Sequence, residues 1–397
     1  MKYQGDPAHF PVLAERIYLN HAAVSPLPAC VAGAMTTYLG KACRTALAKS
    51  FYDEAGAGRA SAARLIGASS PSEIAFTPNT STGLSLVAGG LDWREGDTIV
   101  TTSIEFPANR YVWEELQRLG VRVIQVTPDS TQRVRIDDLV KAVRASFQPG
   151  KTNLLTVSHV QYATGQKLDA AALADVAHSC GGLLCLDAIQ SIGAMPVDVD
   201  TDGVDFLSAD GHKWMLGPEG CGIFYCRQKH LERMRPLVAG WLSMEDAFAP
   251  LHGAEPRIKY RSDARRFEPG CWNVVGMIGL AAALRMLLDV GTENVWQSVR
   301  TLTSHIEQGA RSLGCSVMSP SSCDGDPDAS GIVMLQLPPG SAESQEQIAT
   351  IVSRLADRGI DVVDRVGAIR ISPHFYNTTQ QMDRVITALK EVLAAPA

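Results

Sequence analysis

Short apolar runs alternate with longer amphipathic segments through the first half of the chain. The runs carry mostly apolar or β-branched residues, as is typical of buried strands. They lie at residues 73–77, 97–102, 121–126, 153–157, 183–187 and 206–209. Segments of helical periodicity separate them, at residues 57–66, 84–91, 110–119, 136–146 and 169–180. Strands separated by helices of this length predict an α/β fold with a mainly parallel central sheet covered on both faces.

The last third of the chain has a different pattern. A hairpin-like run at 220–226 is followed by a polar, irregular segment at 243–270, after which long helical patterns alternate with short strands. Helices are predicted at residues 274–289, 292–313, 345–358 and 379–393, and strands at 331–337, 360–363 and 368–372. These elements predict a compact α+β unit, with a Ser/Pro/Asp/Gly-rich loop at 319–330.

The length of 397 residues exceeds what one hydrophobic core usually supports. We therefore predict an N-terminal arm of residues 1–16 that packs on the small domain, a large domain of residues 17–273 and a small α+β domain of residues 274–397. The large domain is expected to open with a short strand at 17–23 and a helix at 29–47.

Composition and charge narrow the functional classes. The chain is 46% hydrophobic and 20% charged with a net charge of −6, and it has no long block of one sign, so a dominant nucleic-acid function is not expected. The N-terminus has no apolar run typical of a signal peptide, and the longest apolar segment, 276–288, is too short to span a bilayer. Nine cysteines without a Cys-x-x-Cys pair, and no metal-ligand spacing, predict a cytoplasmic protein without a bound metal or a membrane segment.

Polar residues follow several of the predicted strands, where parallel sheets bind their ligands. Taken alone, Lys213 could be a surface cation and the hydroxyl groups at residues 80–82 a simple helix cap. Together, however, the strand exits offer what pyridoxal phosphate needs from a protein: a lysine for a Schiff base, a carboxylate for the ring nitrogen, a flat side chain for the ring and an anion pocket for the phosphate. The corresponding residues are Lys213, Asp187, Phe106 and, for the phosphate, Thr80, Ser81 and His212.

Six motifs resemble those of the class V aminotransferases of the fold-type I pyridoxal-phosphate enzymes, which include cysteine desulfurases and isopenicillin N epimerase-like proteins. The resemblance extends from about residue 18 to residue 393 and implies the fold of a fold-type I transferase, with a large cofactor-binding domain and a smaller C-terminal domain. The motifs are YLNHAA at 18–23, EFPAN at 105–109, DAIQS at 187–191, DGHKW at 210–214, RFEPG at 266–270 and RISPHFYN at 370–377.

The resemblance also implies roles for single residues. Gln190 resembles the residue that hydrogen-bonds the ring hydroxyl, and Arg370 resembles the one that binds the substrate α-carboxylate. Asn20 and His21 are expected to contribute to the substrate pocket. The family forms homodimers with the active site at the subunit interface, where a loop from the neighbouring subunit reaches the phosphate. Cys271 lies in the matching loop, at a position where many relatives carry Thr.

The sequence leaves the reaction open. The segment 361–370 is short and lacks the nucleophilic cysteine that desulfurases carry in this domain, and Cys323 does not match the desulfurase pattern. We therefore expect an aminotransferase acting on an amino acid, with a C–S lyase or an epimerase as alternatives. A non-catalytic binding module is a further alternative, whereas a nucleotide-binding or hydrolytic protein is not expected because G-x-x-x-x-G-K-[ST] and G-x-S-x-G are both absent.

Overall fold

The computed structural model describes residues 2–45, 48–247, 258–338 and 345–394. In chain order its strands are β1 (Ile17–Tyr18), β2 (Ile74–Thr77), β3 (Thr98–Thr102), β4 (Arg122–Val126), β5 (Asn153–Ser158), β6 (Leu183–Asp187), β7 (Phe206–Asp210), β8 (Gly222–Cys226), β9 (Ser316–Val317), β10 (Val333–Gln336), β11 (Ile360–Asp361), β12 (Val363–Arg365) and β13 (Ala368–Ile371). Its α-helices are α1 (Ala29–Ala42), α2 (Ala48–Gly56), α3 (Gly58–Leu65), α4 (Thr80–Gly90), α5 (Ala108–Glu114), α6 (Ile136–Ser146), α7 (Ala170–Ser179), α8 (Val274–Val290), α9 (Thr292–Ser312), α10 (Gln345–Ala356) and α11 (Thr379–Ala394).

A seven-stranded sheet forms the centre of the fold, with the strand order β2-β8-β7-β6-β5-β3-β4. Strands β3 to β7 pair in parallel, whereas β8 is antiparallel to both of its neighbours. Every residue of β2, β3, β5, β7 and β8 is buried, which agrees with their continuous apolar runs. The predicted α/β fold with a mainly parallel central sheet is thus confirmed.

Helix α4 differs from its prediction in both its start and its cap. It begins at Thr80, four residues before the predicted start, and Asn79 caps it by accepting a hydrogen bond from the amide of Thr82 at 2.9 Å. The hydroxyl groups at residues 80–82, named above as an alternative helix cap, do not cap this helix, because the side-chain oxygen of Asn79 occupies the capping position. Helix α4 also lies close against β7, since a Cβ atom on Gly83 would approach the Ser208 side chain to 2.1 Å.

A second, four-stranded sheet has the order β12-β13-β10-β9, and its strands are antiparallel. The single strand predicted at residues 360–363 is two strands, because β11 pairs with β1 while β12 pairs with β13. The apolar face of this sheet packs against helices α9, α10 and α11, which builds a hydrophobic core separate from that of the large sheet.

The N-terminal residues contact the rest of the chain at several points. Phe10 stacks on Tyr376 with the ring centroids 3.9 Å apart, and Arg16 forms an ion pair with Asp361 at 2.6 Å. Helix α8 packs on α1 and α3 and contributes to the core of the large sheet. The domain boundaries given above remain predictions.

The loop at residues 319–330 is anchored by a buried carboxylate. Glu307 on α9 accepts hydrogen bonds from the hydroxyl of Ser321 at 2.7 Å and from the amides of Ser322 at 3.1 Å and Cys323 at 3.0 Å. An ion pair between Arg311 and Asp324 joins the loop to α9 at 2.6 Å. Although its composition is polar, this loop is attached to the protein interior, because its serines form hydrogen bonds with the buried carboxylate of Glu307.

Among the described residues, no individual helix combines the length and the hydropathy needed to cross a membrane. Helices α8 and α9 meet both criteria only as a pair, and a bend of 80° separates them. The cytoplasmic location remains a prediction. The last two residues of the helix predicted at 29–47 and residues 248–257 of the polar segment predicted at 243–270 lie outside the described residues.

Asp205 is expected to be important for stability. Its buried carboxylate accepts hydrogen bonds from His230 at 2.6 Å, from His178 at 2.7 Å and from the amide of Leu184 at 2.9 Å. Burial alone would raise the pKa of this carboxyl, but the hydrogen bonds from the two histidines outweigh it and hold the pKa well below the ordinary value. We expect Asp205→Asn to lower the free energy of unfolding by about 3 kcal/mol, because the histidines lose a buried charged partner.

Urea unfolding at neutral pH measures this loss. Because the folded-state pKa is depressed, the stabilisation by Asp205 is complete above the ordinary carboxyl pKa and disappears as the pH falls toward the folded-state pKa. The difference between wild type and variant should therefore shrink in acid. Asp92→Asn removes a carboxylate from an exposed ion pair with Arg94 and serves as the control, with an expected change below about 1 kcal/mol. An equal effect of the two substitutions would contradict the assignment.

Candidate active site

A cavity of about 310 Å³ lies at the carboxyl ends of β6 and β7 and brings together most of the predicted site residues. Those that line it are Thr80, Ser81, Phe106, Asp187, Gln190, His212, Lys213 and Arg370. A larger cavity of about 930 Å³ lies between Tyr52, Arg59, Leu242 and Trp272, and none of the predicted residues lines it. We place the site in the smaller cavity because the reactive side chains converge there.

Lys213 and Asp187 form the polar centre of the cavity. Burial lowers the pKa of the Lys213 amine to about 8, although the charge of Asp187 acts in the opposite direction. Burial raises the pKa of the Asp187 carboxyl to about 7, against a hydrogen bond of 3.1 Å from the amide of Ile189. None of the ion pairs among the described residues includes Lys213. The cavity therefore presents an amine that is easily deprotonated and a carboxylate that a nearby cation would stabilise.

Phe106 presents an aromatic ring next to this centre. The ring is 43% exposed, and its centroid lies 5.7 Å from Nζ of Lys213. Tyr162 meets it edge to face at 5.1 Å. The neighbouring Glu105 is buried and fixes the loop, because its carboxylate accepts hydrogen bonds from Asn109 at 3.0 Å and Gln161 at 2.8 Å. An open ring face on a fixed loop is suited to stacking against a planar ligand.

Gln190 stands between the cavity and the protein interior. Its side-chain amide donates to the carbonyl of Ala22 at 2.9 Å and accepts from the indole nitrogen of Trp214 at the same distance. These two bonds fix the orientation of the amide group. One N–H of Gln190 remains for a ligand, which is compatible with the predicted contact to a ring hydroxyl.

The N-terminus of α4 provides the anion-binding end of the cavity. The amides of Thr80 and Ser81 find no acceptor within the described part of the chain, because the Asn79 side chain bonds to the amide of Thr82 instead. Free amides at a helix N-terminus attract anions. His212 faces this end. Oδ2 of Asp210 lies 3.0 Å from its Nδ1, but this buried nitrogen forms no hydrogen bond with a described residue.

Arg370 contributes a buried guanidinium to the cavity. It donates to the carbonyl of Tyr162 at 3.2 Å and to Oδ1 of Asn20 at 3.4 Å, and its Nε has no acceptor. None of the ion pairs among the described residues involves Arg370. Burial, followed by the charge of Arg365, lowers the pKa of Arg370 to about 10. A buried positive charge without a carboxylate partner is suited to binding an anionic ligand.

Three predicted residues do not line the cavity. Asn20 contacts it only through Arg370. His21 is fully buried, with its ring nitrogens 2.7 Å from the carbonyl of Ser372 and 2.6 Å from the hydroxyl of Tyr376. A substrate contact by His21 therefore disagrees with the structure, because both ring nitrogens are occupied inside the fold. Cys271 is exposed and is not among the residues that line the cavity, and its predicted contact with a partner subunit remains a prediction.

The cavity also contains Arg365, which is not among the residues predicted from the sequence. Side chains alternate between the two faces of a strand, and this alternation places Arg365 and Arg370 on one face of the hairpin formed by residues 363–370. Arg365 and Arg370 are separated by five positions, which does not reveal that the chain reverses between them. Their common face becomes visible only with the register of β12 and β13.

The residues present fit pyridoxal phosphate. Lys213 would hold the aldehyde carbon, Asp187 the ring nitrogen and Phe106 the ring face, and the amides of Thr80 and Ser81 would hold the phosphate. The fit rests on two structural observations: the amides at the start of α4 are free, and Nδ1 of His212 is buried without a hydrogen bond to a described residue.

The family model, the sequence relatives and the solved structures that match this chain all belong to one group of related proteins. The family model described as aminotransferase class-V matches residues 17–385. A probable cysteine desulfurase of Methanothermobacter thermautotrophicus is 31% identical, with 96% of each chain covered. The apo structure of a cysteine desulfurase from Thermococcus onnurineus NA1 is 28% identical and superposes with a TM-score of 0.84 over 96% of each chain. A lysine variant of C-DES with glycine linked to its pyridoxal-phosphate cofactor has a TM-score of 0.85 at 24% identity, over 97% of this chain and 99% of that one, which shows a shared fold.

Proposed function

Because this chain belongs to the class V aminotransferase family, we propose that it is a pyridoxal-phosphate enzyme that cleaves the C–S bond of a cysteine derivative. The observation that carries the proposal is the convergence of Lys213, Asp187 and Arg370 in one cavity whose described lining contains no cysteine. Named relatives that are cysteine desulfurases support a sulfur-containing amino acid as the substrate.

Pyridoxal phosphate, when bound, supplies an electron sink that stabilises negative charge at the substrate Cα. Lys213 is the residue that moves the proton at this carbon. Because burial lowers the pKa of its amine to about 8, a larger fraction of the amine is neutral near pH 7 than for an exposed lysine. The neutral amine accepts the Cα proton, and the resulting ammonium can return it at the next step.

Arg370 orients the substrate for this proton transfer. Its guanidinium is held by the carbonyl of Tyr162 and by Asn20, which leaves N–H groups free for a two-pronged contact with an α-carboxylate. A carboxylate bound in this way fixes one substituent of Cα. Asp187 would hold the ring nitrogen of the cofactor, and the ring of Phe106 would limit the movement of the planar cofactor ring.

The location of the cysteines favours release of the sulfur group over its transfer to the protein. Cys323 contacts Ser321 and Asp324 in the 319–330 loop, burial raises the pKa of its thiol, and it does not line the cavity. Cys271 is exposed elsewhere. The overall reaction is then an elimination in which an S-substituted cysteine and water give a thiol, pyruvate and ammonia. The proton leaves Cα, and the Cβ–S bond breaks with its electron pair remaining on sulfur.

Transamination is the second candidate and the reaction expected from the sequence. The match to the aminotransferase class-V family model supports transamination. Its first step would be the same removal of the Cα proton by Lys213, with Asp187 and Arg370 in the same roles. The predicted aminotransferase activity remains a prediction, as does epimerisation. The homodimer implied by the family resemblance also remains a proposal.

Product analysis distinguishes these reactions. We expect the purified enzyme to form pyruvate, ammonia and a thiol in equal amounts from S-substituted L-cysteines, without an added keto acid, as measured by mass spectrometry and thiol detection. Transamination would instead require a keto acid and would give a sulfur-containing keto acid, whereas epimerisation would give the D-amino acid. L-Alanine serves as the control because it has no leaving group at Cβ. Formation of a sulfur-containing keto acid as the main product would overturn the lyase proposal.

A further inference from the structure

Two arginines project from one face of the β12–β13 hairpin into the cavity. Val363 pairs with Arg370 and Arg365 pairs with Ala368, so Arg365 and Arg370 are diagonal neighbours across the two strands. Residues that alternate along one strand share a face with their cross-strand partners, and long side chains reach their diagonal neighbours. Both arginines line the cavity, which agrees with this register.

Neither guanidinium has a carboxylate partner among the described residues. Nε of Arg365 and Nε of Arg370 are both buried without a hydrogen-bond acceptor, and the ion pairs found in the described ranges include neither residue. The charge of Arg365 also acts against that of Arg370, since it lowers the pKa of Arg370. Two adjacent guanidinium groups that form no ion pair with a described residue repel each other, and one bound anion reduces this repulsion only in part.

The turn of the hairpin holds Arg365 in this position. Val366 and Gly367 form the turn with φ angles of 50° and 74°. A two-residue turn of this hand normally contains Asn or Gly at its first position, and a β-branched residue rarely adopts a positive φ. Observed backbone strain of this kind is concentrated at ligand sites. The strained turn makes Arg365 pair with Ala368, which places its side chain on the same face as Arg370.

The phosphate and the substrate α-carboxylate already have their own donors in the site. The free amides of Thr80 and Ser81 and the side chain of His212 lie at the N-terminus of α4, where the phosphate is expected. Arg370, held by Tyr162 and Asn20, accounts for the α-carboxylate. Arg365 therefore remains as a cation without an assigned anion.

We propose that Arg365 binds a second anionic group on the substrate side chain, so that the preferred substrates are cysteine derivatives whose sulfur substituent carries a carboxylate or another anion. This inference rests on the proposed function, since it names the substrate class of the same site. The α-carboxylate contacts Arg370, and the anion of the leaving group contacts Arg365. The arginine pair then selects substrates by the presence of two negative groups at a fixed separation.

Two substrates of the same length test the proposal. S-Carboxymethyl-L-cysteine and S-ethyl-L-cysteine differ in a terminal carboxylate or methyl group. We expect the wild-type enzyme to have the higher kcat/KM for the carboxymethyl substrate, and Arg365→Gln to lower the ratio of the two kcat/KM values by about 10- to 100-fold, the range for loss of a charged hydrogen bond. Arg365→Lys should retain part of the preference because it keeps the charge.

Arg358→Gln is the matched control, because it removes a partly exposed arginine that lies 3.8 Å from Glu391 on α11. It should leave the ratio unchanged. If Arg365→Gln lowered kcat/KM equally for both substrates, Arg365 would bind the α-carboxylate or support the hairpin, and the proposal would be overturned. A wild-type ratio near one would overturn it as well.

A binding measurement separates this inference from the proposed reaction. Calorimetry of the holoenzyme with glutarate and with butyrate compares a dicarboxylate with the monocarboxylate that lacks its second carboxylate group. We expect Arg365→Gln to weaken the binding of glutarate by about 10- to 100-fold more than that of butyrate. If C–S cleavage were not detected but this selectivity were, the proposed function would fail and the anion site would stand. If cleavage were detected without this selectivity, the reverse would hold.

Discussion

Replacing Lys213 with alanine is expected to lower kcat/KM for any amino-acid substrate by at least about 10³-fold. The variant loses both the amine that bonds to the cofactor aldehyde and the base that accepts the Cα proton, and general-base catalysis alone accounts for about 10²- to 10⁴-fold. The purified variant should also lack the visible absorbance band that sodium borohydride bleaches in the wild type. Steady-state kinetics and absorbance spectra measure the two effects independently.

A soluble amine distinguishes the chemical role of Lys213 from a purely electrostatic one. Methylamine should restore part of the activity of Lys213→Ala because it can enter the space left by the side chain and accept a proton. Lys213→Arg keeps the positive charge but lacks a neutral amine near pH 7, so it should remain inactive. Lys141→Ala, which removes an exposed lysine next to Asp138, is the control and should leave kcat/KM unchanged. Substantial activity of Lys213→Arg would contradict the assigned role.

Much of the site could be predicted because its residues directly follow recognisable strands. The apolar run of β6 ends at Asp187, and the buried run of β7 is followed within three residues by Lys213. Parallel pairing of β6 and β7 then brings their carboxyl ends to one edge of the sheet. Local pattern and sheet topology together fixed the approximate position of both residues, and the cavity-lining position of Phe106 follows from the end of β3 in the same way.

The missed and mistaken residues depend on contacts between distant parts of the chain. His21 follows a strand and is polar, yet Ser372 and Tyr376 occupy its ring nitrogens from more than three hundred positions away. Arg365 was missed because its direction depends on the turn at Val366, where the positive φ is atypical for valine. Pattern along the chain identifies strand ends, but it does not give the tertiary partners that decide whether a polar side chain faces the cavity.

The electrostatic role of Asp187 can be isolated by substitution with asparagine, which preserves the shape of the side chain. We expect Asp187→Asn to lower kcat by about 10²- to 10³-fold, because a preorganised charge that stabilises the transition state contributes an effect of this size. KM should change less, since Arg370, which is held by Asn20, remains in place to bind the α-carboxylate. Asp137→Asn, which alters an exposed carboxylate 3.6 Å from Arg135, is the control and should leave both constants unchanged.

The pH dependence of cofactor affinity gives a second measure of Asp187. In the protein without pyridoxal phosphate, burial raises the pKa of this carboxyl to about 7. The carboxyl therefore loses its negative charge as the pH falls through that value. Wild type should bind pyridoxal phosphate more tightly than Asp187→Asn above pH 7, and this advantage should shrink as the pH falls below 7. Comparing the two proteins at each pH cancels the titration of the cofactor itself. If the ratio of their dissociation constants did not change between pH 5.5 and pH 8.5, the charge of Asp187 would not be what holds the cofactor.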